Sequence, residues 1–228
     1  MSRHATSSGE PAPGPGPTRS GTLLRFTFAE RWVHRCTAVL LGLCLLTAAM
    51  LYVGPLSELV GRRTVVRAVH VYAGIALPVP VIVGYLSRAF RQDVRRMNRF
   101  APSDWAWLRD RQRRNGRLPV GKFNAGQKLN ASFTIGAILV MLGTGLLMRY
   151  GHAWPLSLRT GATLVHDWLA YGVAAVALGH LWMAQRDPVA RHGMRTGSVP
   201  LEWARREHPG WAAETQGEDQ PETVIRRS

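Results

Sequence analysis

Cysteine and acidic residues are scarce in this chain of 228 residues. Its two cysteines, Cys36 and Cys44, lie close together and form no CxxC motif, which excludes a disulfide framework and predicts two small buried apolar residues. The 14 acidic residues stand against 29 lysines and arginines, a net charge of +15. Such a charge suits nucleic-acid binding or a membrane surface, and its distribution along the chain decides between them.

Long stretches of the chain lack charge almost entirely. They are residues 36–57, 68–87, 129–148 and 160–185, the last interrupted only by Asp167. Each is long enough to cross a hydrocarbon core of about 30 Å as a helix. The stretches also lack the polar face that a soluble helix needs. The sequence therefore predicts an all-α integral membrane four-helix bundle, with helices at about 31–53, 65–87, 127–149 and 160–184.

The positive charges lie mainly on one side of these predicted helices. Residues 88–128 carry 12 lysines and arginines against 3 acidic residues, whereas the loop between helices three and four has only Arg149 and Arg159. This positive-inside pattern predicts a multi-pass protein of the inner (cytoplasmic) membrane with both termini in the cytoplasm. The basic loop is expected to set topology and to contact anionic lipid, not nucleic acid.

Composition divides the chain into three parts. Residues 1–21 are rich in proline, glycine and serine and are expected to be disordered. Residues 22–212 form the predicted membrane domain, and residues 213–228 form a polar tail. Pro78 and Pro80 fall inside the second helix, where the missing backbone donors are expected to produce a kink.

Four histidines lie in or at the ends of the predicted helices: His34, His70, His166 and His180. An ionisable residue within a membrane is costly and points to function. Any one of them alone is as readily a neutral imidazole that bonds to a neighbouring helix. The predicted topology sorts them by depth into an inner, cytoplasmic pair, His34 and His180, and an outer pair, His70 and His166.

The spacing on the fourth helix favours a protein with two haems. His166 and His180 are 14 residues apart, which is close to four full turns, so both lie on one helix face about 21 Å apart. Two bis-histidine haems stacked across a bilayer need this arrangement. Without a CxxCH motif the haems must be b-type. Gly74, Gly136, Gly143 and Gly172 leave room for a flat macrocycle, although helix–helix packing explains each of them equally well.

The segment GKFNAGQK, residues 121–128, is an unusually polar start for an apolar helix. Free N–H groups at a helix N-terminus can hold an acceptor oxygen. Asn124 and Gln127 add side-chain donors, and Gly126 allows close approach to the backbone. The flanking Lys122 and Lys128 are expected at the surface or beside an anionic cofactor group. The topology places this segment at the depth of the inner histidine pair.

Two further residues are expected at the periphery. Asp167 follows His166 near the outer surface and is expected to face water or a partner subunit, with a role beside the haem as the weaker alternative. His208 lies beyond the fourth helix and is expected to be solvated or interfacial.

Several motifs together carry a resemblance to a known family. They are RFTFAERWVH, RAVHVYAG, GKFNAGQKL, LVHDWLAYG, LGHLWMA and EWARREHPGW, in this order along the chain. Over about residues 24–212 the chain resembles the γ subunit of membrane-bound formate dehydrogenase, a four-helix dihaem cytochrome b of the b556 family. GKFNAGQK is the most specific of these motifs.

The resemblance implies a set of cofactors and partners. His34 and His180 would ligate the inner haem b, and His70 and His166 the outer one. An iron–sulfur β subunit would pass electrons from a molybdenum- or tungsten-containing α subunit that oxidises formate. The inner haem would reduce a quinone, usually menaquinone, in a pocket lined by the residues at the NAGQ segment and the last helix, Asn124, Gly126, Gln127 and His180. The chain itself would not act on formate.

Two other functions fit parts of the pattern. A haem-bearing anchor of another respiratory oxidoreductase, such as a hydrogenase or a sulfur-compound reductase, would need the same histidines. A four-helix transporter or assembly factor without haem would need none of them and would be colourless when purified.

Overall fold

The computed structural model describes residues 21–110 and 116–218. Residues 1–20 and 219–228, which the sequence assigns to the two tails, lie outside this range. In chain order the elements are β1 (Thr22–Leu24), α1 (Phe28–Tyr52), α2 (Gly54–Val60), α3 (Arg63–Ala76), α4 (Val79–Gly84), α5 (Arg88–Met97), α6 (Pro102–Arg109), α7 (Ala125–Arg149), a 3₁₀ turn (Gly151–Ala153), α8 (Leu156–Gln185), α9 (Pro188–Thr196), β2 (Ser198–Pro200), α10 (Leu201–Glu207) and α11 (Pro209–Glu218).

Within the described residues, four helical spans are long and apolar enough to cross a membrane. They are Phe28–Tyr52, Arg63–Gly84, Ala125–Arg149 and Leu156–Gln185. Most residues of these spans are not buried within the chain itself, and side chains such as Ile82 and Trp168 are 65% and 70% exposed. Apolar side chains in this position face lipid, as expected for a helical membrane protein.

The second span is interrupted at the two prolines, where the sequence predicts a kink. α3 ends at Ala76, and α4 begins at Val79 after Pro78 in the N-cap position. Pro78 and Pro80 have no backbone N–H to donate to the preceding turn, so the regular hydrogen-bond ladder cannot continue through them. The prediction at the C-terminus differs, because α11 continues to Glu218 into the segment predicted as a polar tail.

The four spans associate as two helix pairs. α1 packs against α3 and α4, and α7 packs against α8, while α3 and α7 make the smaller contact that joins the two pairs. Glycines line open space in both pairs: a Cβ atom at Gly74, Gly136 or Gly143 would meet no heavy atom within 4 Å. At Gly172 a Cβ would lie 3.9 Å from the ring of Phe133.

A compact unit lies at the end of the bundle where α1 and α7 begin and α8 ends. We call it the cap, formed by residues 21–27, 88–110, 116–124 and 186–218. β1 and β2 pair antiparallel with Leu23 opposite Val199. Its core consists of Val199, Trp203, Ala204, Trp211 and Ala212. The cap thus joins both ends of the described chain to the connection between the second and third spans.

Gly197 closes the cap around the N-terminal strand. Its carbonyl oxygen accepts from the backbone N–H groups of Arg25 and Phe26 at 2.7 and 2.9 Å. Its φ of +102° and a hypothetical Cβ only 2.6 Å from the Phe26 oxygen both require glycine at this position.

Candidate functional site: two histidine pairs across the helix bundle

The structure brings the four membrane histidines together in two pairs. The ring centroids of His34, from α1, and His180, from α8, lie 6.2 Å apart. Those of His70, from α3, and His166, also from α8, lie 6.3 Å apart. These are the inner and outer pairs expected from depth alone. Each pair bridges the two helix pairs of the bundle.

The distance within each pair fits two axial ligands of one haem iron. A metal–imidazole bond is about 2 Å long. With about 1.1 Å more from each nitrogen to its ring centre, two imidazoles on opposite sides of one iron have centres about 6 to 6.5 Å apart. Both pairs have this spacing.

His70 is held by polar groups of α1. Its Nδ1 lies 2.9 Å from Thr47 Oγ1 and 3.1 Å from the carbonyl oxygen of Cys44. Because the carbonyl can only accept, Nδ1 carries the proton and Nε2 keeps its lone pair. Thr47 Oγ1 also donates to the Leu43 carbonyl at 2.6 Å, which leaves its oxygen free to accept from His70.

His166 is held in the same way by α7. Its Nδ1 lies 2.9 Å from Thr144 Oγ1, and Thr144 donates to the Val140 carbonyl at 2.8 Å. The hydroxyl proton is thus engaged, so His166 Nδ1 donates and Nε2 keeps its lone pair. Gly145 makes room for the ring, since a Cβ there would lie 3.4 Å from His166 Cε1. Nothing in the sequence distinguishes Thr47, Thr144 or Gly145 from other small residues of the spans.

The inner pair lies beside the cap and has a different environment. The side chains of His34 and His180 are exposed within the isolated chain, whereas those of His70 and His166 are half-buried. Two arginines next to this pair connect α1 to the cap. Arg31 and Arg35 both donate to the carbonyl of Arg195, at 2.7 and 3.0 Å. The end of α9 is therefore held against the start of α1.

The start of α7 is a reciprocal capping box. Asn124 Oδ1 accepts from the backbone N–H of Gln127 at 2.9 Å, and Gln127 Oε1 accepts from the N–H of Asn124 at 3.0 Å. Both side-chain oxygens serve the helix start, and the two NH₂ groups are the donors left over for a ligand. Gly126 has a packing role as well, because a Cβ there would lie 3.3 Å from the Trp107 ring.

Lys122 and Lys128 are buried in ion pairs, contrary to the expectation of surface or cofactor-facing lysines. Lys122 Nζ lies 3.1 Å from Glu30 Oε1 and 2.5 Å from Asp93 Oδ2. Lys128 Nζ lies 2.7 Å from Asp104 Oδ2. A buried ammonium is stable only when paired, so these contacts fix both flanks of the GKFNAGQK segment to the cap.

His208 is also buried, contrary to the expectation of a solvated or interfacial residue. Only 2% of its surface is exposed. Its Nδ1 donates to the Gly121 carbonyl at 2.7 Å, and its Nε2 accepts from Arg25 Nη2 at 2.9 Å. Burial lowers the pKa of Arg25 to about 10, which leaves its guanidinium charged at neutral pH. Through His208, the C-terminal motif thus binds Gly121, the first residue of the GKFNAGQK segment.

Asp167 forms a contact within the chain. The Asp167 carboxylate on α8 interacts electrostatically with the Tyr52 hydroxyl at the end of α1. The contact ties the two helix pairs together at the outer end, next to His166.

Comparison with known proteins places this geometry in a family. The sequence model of the prokaryotic cytochrome b561 family matches residues 25–197, which include all four membrane histidines. The chain belongs to the prokaryotic cytochrome b561 family. Membership implies haem b as the cofactor of this multi-pass membrane protein, and the histidine pairs offer suitable ligands.

Several relatives carry names that agree with the resemblance found in the sequence. The nitrate-inducible formate dehydrogenase cytochrome b556(Fdn) subunit of Escherichia coli K12 is 24% identical over 212 residues, 87% of this chain and 94% of the relative. The formate dehydrogenase cytochrome b556 subunit of Haemophilus influenzae is 26% identical over 167 residues, 70% of this chain and 68% of the relative. The predicted kinship with formate dehydrogenase cytochrome subunits is confirmed.

Proposed function

We propose that this cytochrome carries electrons across the inner membrane through two bis-histidine haems to a quinone. The observation that carries the proposal is the pair of ring distances, 6.2 and 6.3 Å, at opposite depths of the bundle. Haem b supplies reversible one-electron transfer. His34 and His180 hold the inner haem, and His70 and His166 hold the outer one.

The protein's contribution at the outer haem is orientation of its ligands. Thr47 and Thr144 accept the Nδ1 protons of His70 and His166, which leaves both Nε2 lone pairs available to hold a haem iron. Outer-shell hydrogen bonds of this kind fix the tautomer and raise ligand basicity. The ligands are therefore ordered before the cofactor binds.

The charge distribution supports the orientation of the protein in the membrane. Of the 22 lysines and arginines in the described residues, 14 lie in the cap, which faces the cytoplasm in this proposal, with both termini on the same side. Electrons that move from the outer to the inner haem then work against the membrane potential, at about 2.3 kcal/mol per 100 mV. The donor reaction has to supply this energy.

Quinone reduction is assigned to the cap-facing end. The pocket wall comprises Asn124, Gly126 and Gln127 at the start of α7, with His180 from α8. The capping box uses the two amide oxygens and leaves the two NH₂ groups to donate to quinone oxygens. Menaquinone is the expected acceptor.

The names of the relatives support formate dehydrogenase as the complex. In this proposal an iron–sulfur β subunit feeds electrons to the outer haem. A molybdenum- or tungsten-containing α subunit oxidises formate. This chain does not act on formate itself and has the role of the electron-transferring and quinone-reducing subunit.

The decisive test is purification of the complex in mild detergent. We expect a dithionite-reduced b-type α band, two haems per chain, co-purifying iron–sulfur and molybdenum or tungsten subunits, and quinol formation with formate. A colourless protein would refute the haem function and favour a transporter or assembly factor. Co-purified hydrogenase or sulfur-compound reductase subunits would replace formate dehydrogenase with another respiratory complex.

A further inference from the structure

One buried lysine, in the segment proposed to line the quinone pocket, contacts two carboxylic acids. Lys122 Nζ contacts Glu30 Oε1 at 3.1 Å and Asp93 Oδ2 at 2.5 Å. The side chains of all three residues are between 5% and 9% exposed. Both carboxyl groups thus lie against one ammonium. Since an ionised carboxylate only accepts, the two acids can form a hydrogen bond with each other only when one of them carries a proton.

Charge balance favours the same state. One ammonium neutralises one carboxylate, and a second buried negative charge beside the first is costly. Arg25, whose charge also acts on Asp93, directs its guanidinium to the Lys122 carbonyl and to His208. Burial, followed by the neighbouring Glu30 carboxyl, raises the pKa of Asp93 to about 7, against the opposing effect of Lys122.

The other buried lysine of the same segment provides a contrast. Lys128 pairs with Asp104 at 2.7 Å and donates to the Arg99 carbonyl at 2.9 Å. This site has a single carboxylate, so its charges balance without an additional proton. The two sites are alike in burial and flank the capping box in sequence, and they differ in the second acid.

The acid pair lies where two proposed functional elements meet. Glu30 precedes His34 by one turn of α1, about 6 Å along the axis. Lys122 precedes Asn124 by two residues. Asp93 is itself buried on α5, whereas Gln92 and Arg95 of the same helix are exposed.

We propose that Glu30 and Asp93 hold a shared proton and pass it toward the quinone. This role rests on the proposed function. Reduction of one quinone consumes two electrons, which arrive through the haems, and two protons. The acid pair releases one proton at a time, remains as two carboxylates against Lys122, and regains a proton from water at the cap surface before the next release.

The direct test compares Asp93→Asn with the matched control Asp104→Asn in the purified complex. The amide introduced by Asp93→Asn cannot release or take up the shared proton. Because Glu30 still pairs with Lys122, the variant is expected to fold. Quinol formation should fall by about a hundredfold, while haem reduction by the donor is retained. Asp104→Asn leaves Lys128 without its buried partner and so measures the cost of a lost ion pair alone; its rate should fall much less, with the wild-type pH dependence retained.

The pH profile separates proton transfer from a structural role. The acid pair carries its shared proton below pH 7 and loses it above pH 7, because the pKa of Asp93 is about 7. The wild-type rate should therefore fall as pH rises through 7, and Asp93→Asn should lack this inflection. The inference is overturned by a wild-type profile in Asp93→Asn, or by equal losses in both variants.

Infrared spectroscopy of the complex tests the shared proton without turnover. A protonated-carboxyl band should titrate near pH 7 in the wild type and in Asp104→Asn, as the pKa of Asp93 requires, and it should be absent from Asp93→Asn and Glu30→Gln. A band that persists in both of the latter variants overturns the inference. Failure of the proposed function is distinguishable, because the wild type would then form no quinol at any pH.

Discussion

The outer and inner histidine pairs have nearly the same ring distance but different support. Each outer histidine bonds through Nδ1 to a threonine on the neighbouring helix, Thr47 or Thr144. The inner histidines, His34 and His180, lie at helix ends against a cap held by buried ion pairs. The outer pair is thus ordered by the bundle itself, and the inner pair depends on the cap. In the proposed function the outer site only exchanges electrons, whereas protons and a quinone must also reach the inner site. The difference in support suits these two roles.

Replacement of a single histidine ligand should have the largest effect, which is the loss of one haem. His70→Ala or His166→Ala should remove one b-type haem signal, and His34→Ala or His180→Ala should remove the other, because a bis-histidine site needs both imidazoles. Redox titration of the reduced spectrum measures the loss. If His70→Ala and His34→Ala abolish the same signal and spare the other, the pairing is wrong.

The second-largest effect is expected from loss of a buried ion pair, which should destabilise one end of the bundle more than the other. Lys122→Met leaves two buried carboxyl groups without their cation and should destabilise the cap by about 3–5 kcal/mol. Thermal release of the inner haem should occur at lower temperature, with the outer haem little changed. Lys128→Met removes the partner of one acid and should have the smaller effect. Equal loss of both haems would contradict dependence of the inner pair on the cap.

Loss of the threonine hydroxyls should act only on the outer pair. Thr47→Val and Thr144→Val keep side-chain shape but remove the Nδ1 acceptors, and each should weaken outer-haem binding by about 10- to 100-fold. Haem retention during dilution in detergent measures this. Thr134→Val is the matched control, because Thr134 donates to the Asn130 carbonyl of its own helix at 2.8 Å. An effect as large in the control would refute the ligand-holding role.

The smallest effect is expected at the quinone wall. Gln127→Ala should weaken quinone binding by about tenfold through loss of one hydrogen bond, with haem reduction by the donor intact. Gln127→Glu keeps an oxygen for the capping box but has no NH₂ group. If Gln127→Glu restores quinol formation, the residue acts through the helix start alone.

Several features of the site could be predicted from the sequence because they depend on local spacing. Charge-free stretches identified the four spans, and the 14-residue interval from His166 to His180 placed both histidines on one helix face. The partners of these residues could not be predicted. Thr134 and Thr144 lie in similar apolar sequence, and each donates a hydrogen bond to a carbonyl of α7. Only Thr144 also forms a hydrogen bond with a histidine.

The sequence by itself determined the membrane spans, the depth of each histidine and the polar start of α7, since length and charge act on each segment separately. The tertiary structure alone decided which threonines hold the outer ligands and that Lys122, Lys128 and His208 are buried. Charged and polar side chains take partners according to distance in space. Glu30, Asp93 and Lys122 come from three separate segments, and only the folded cap brings them within reach of each other.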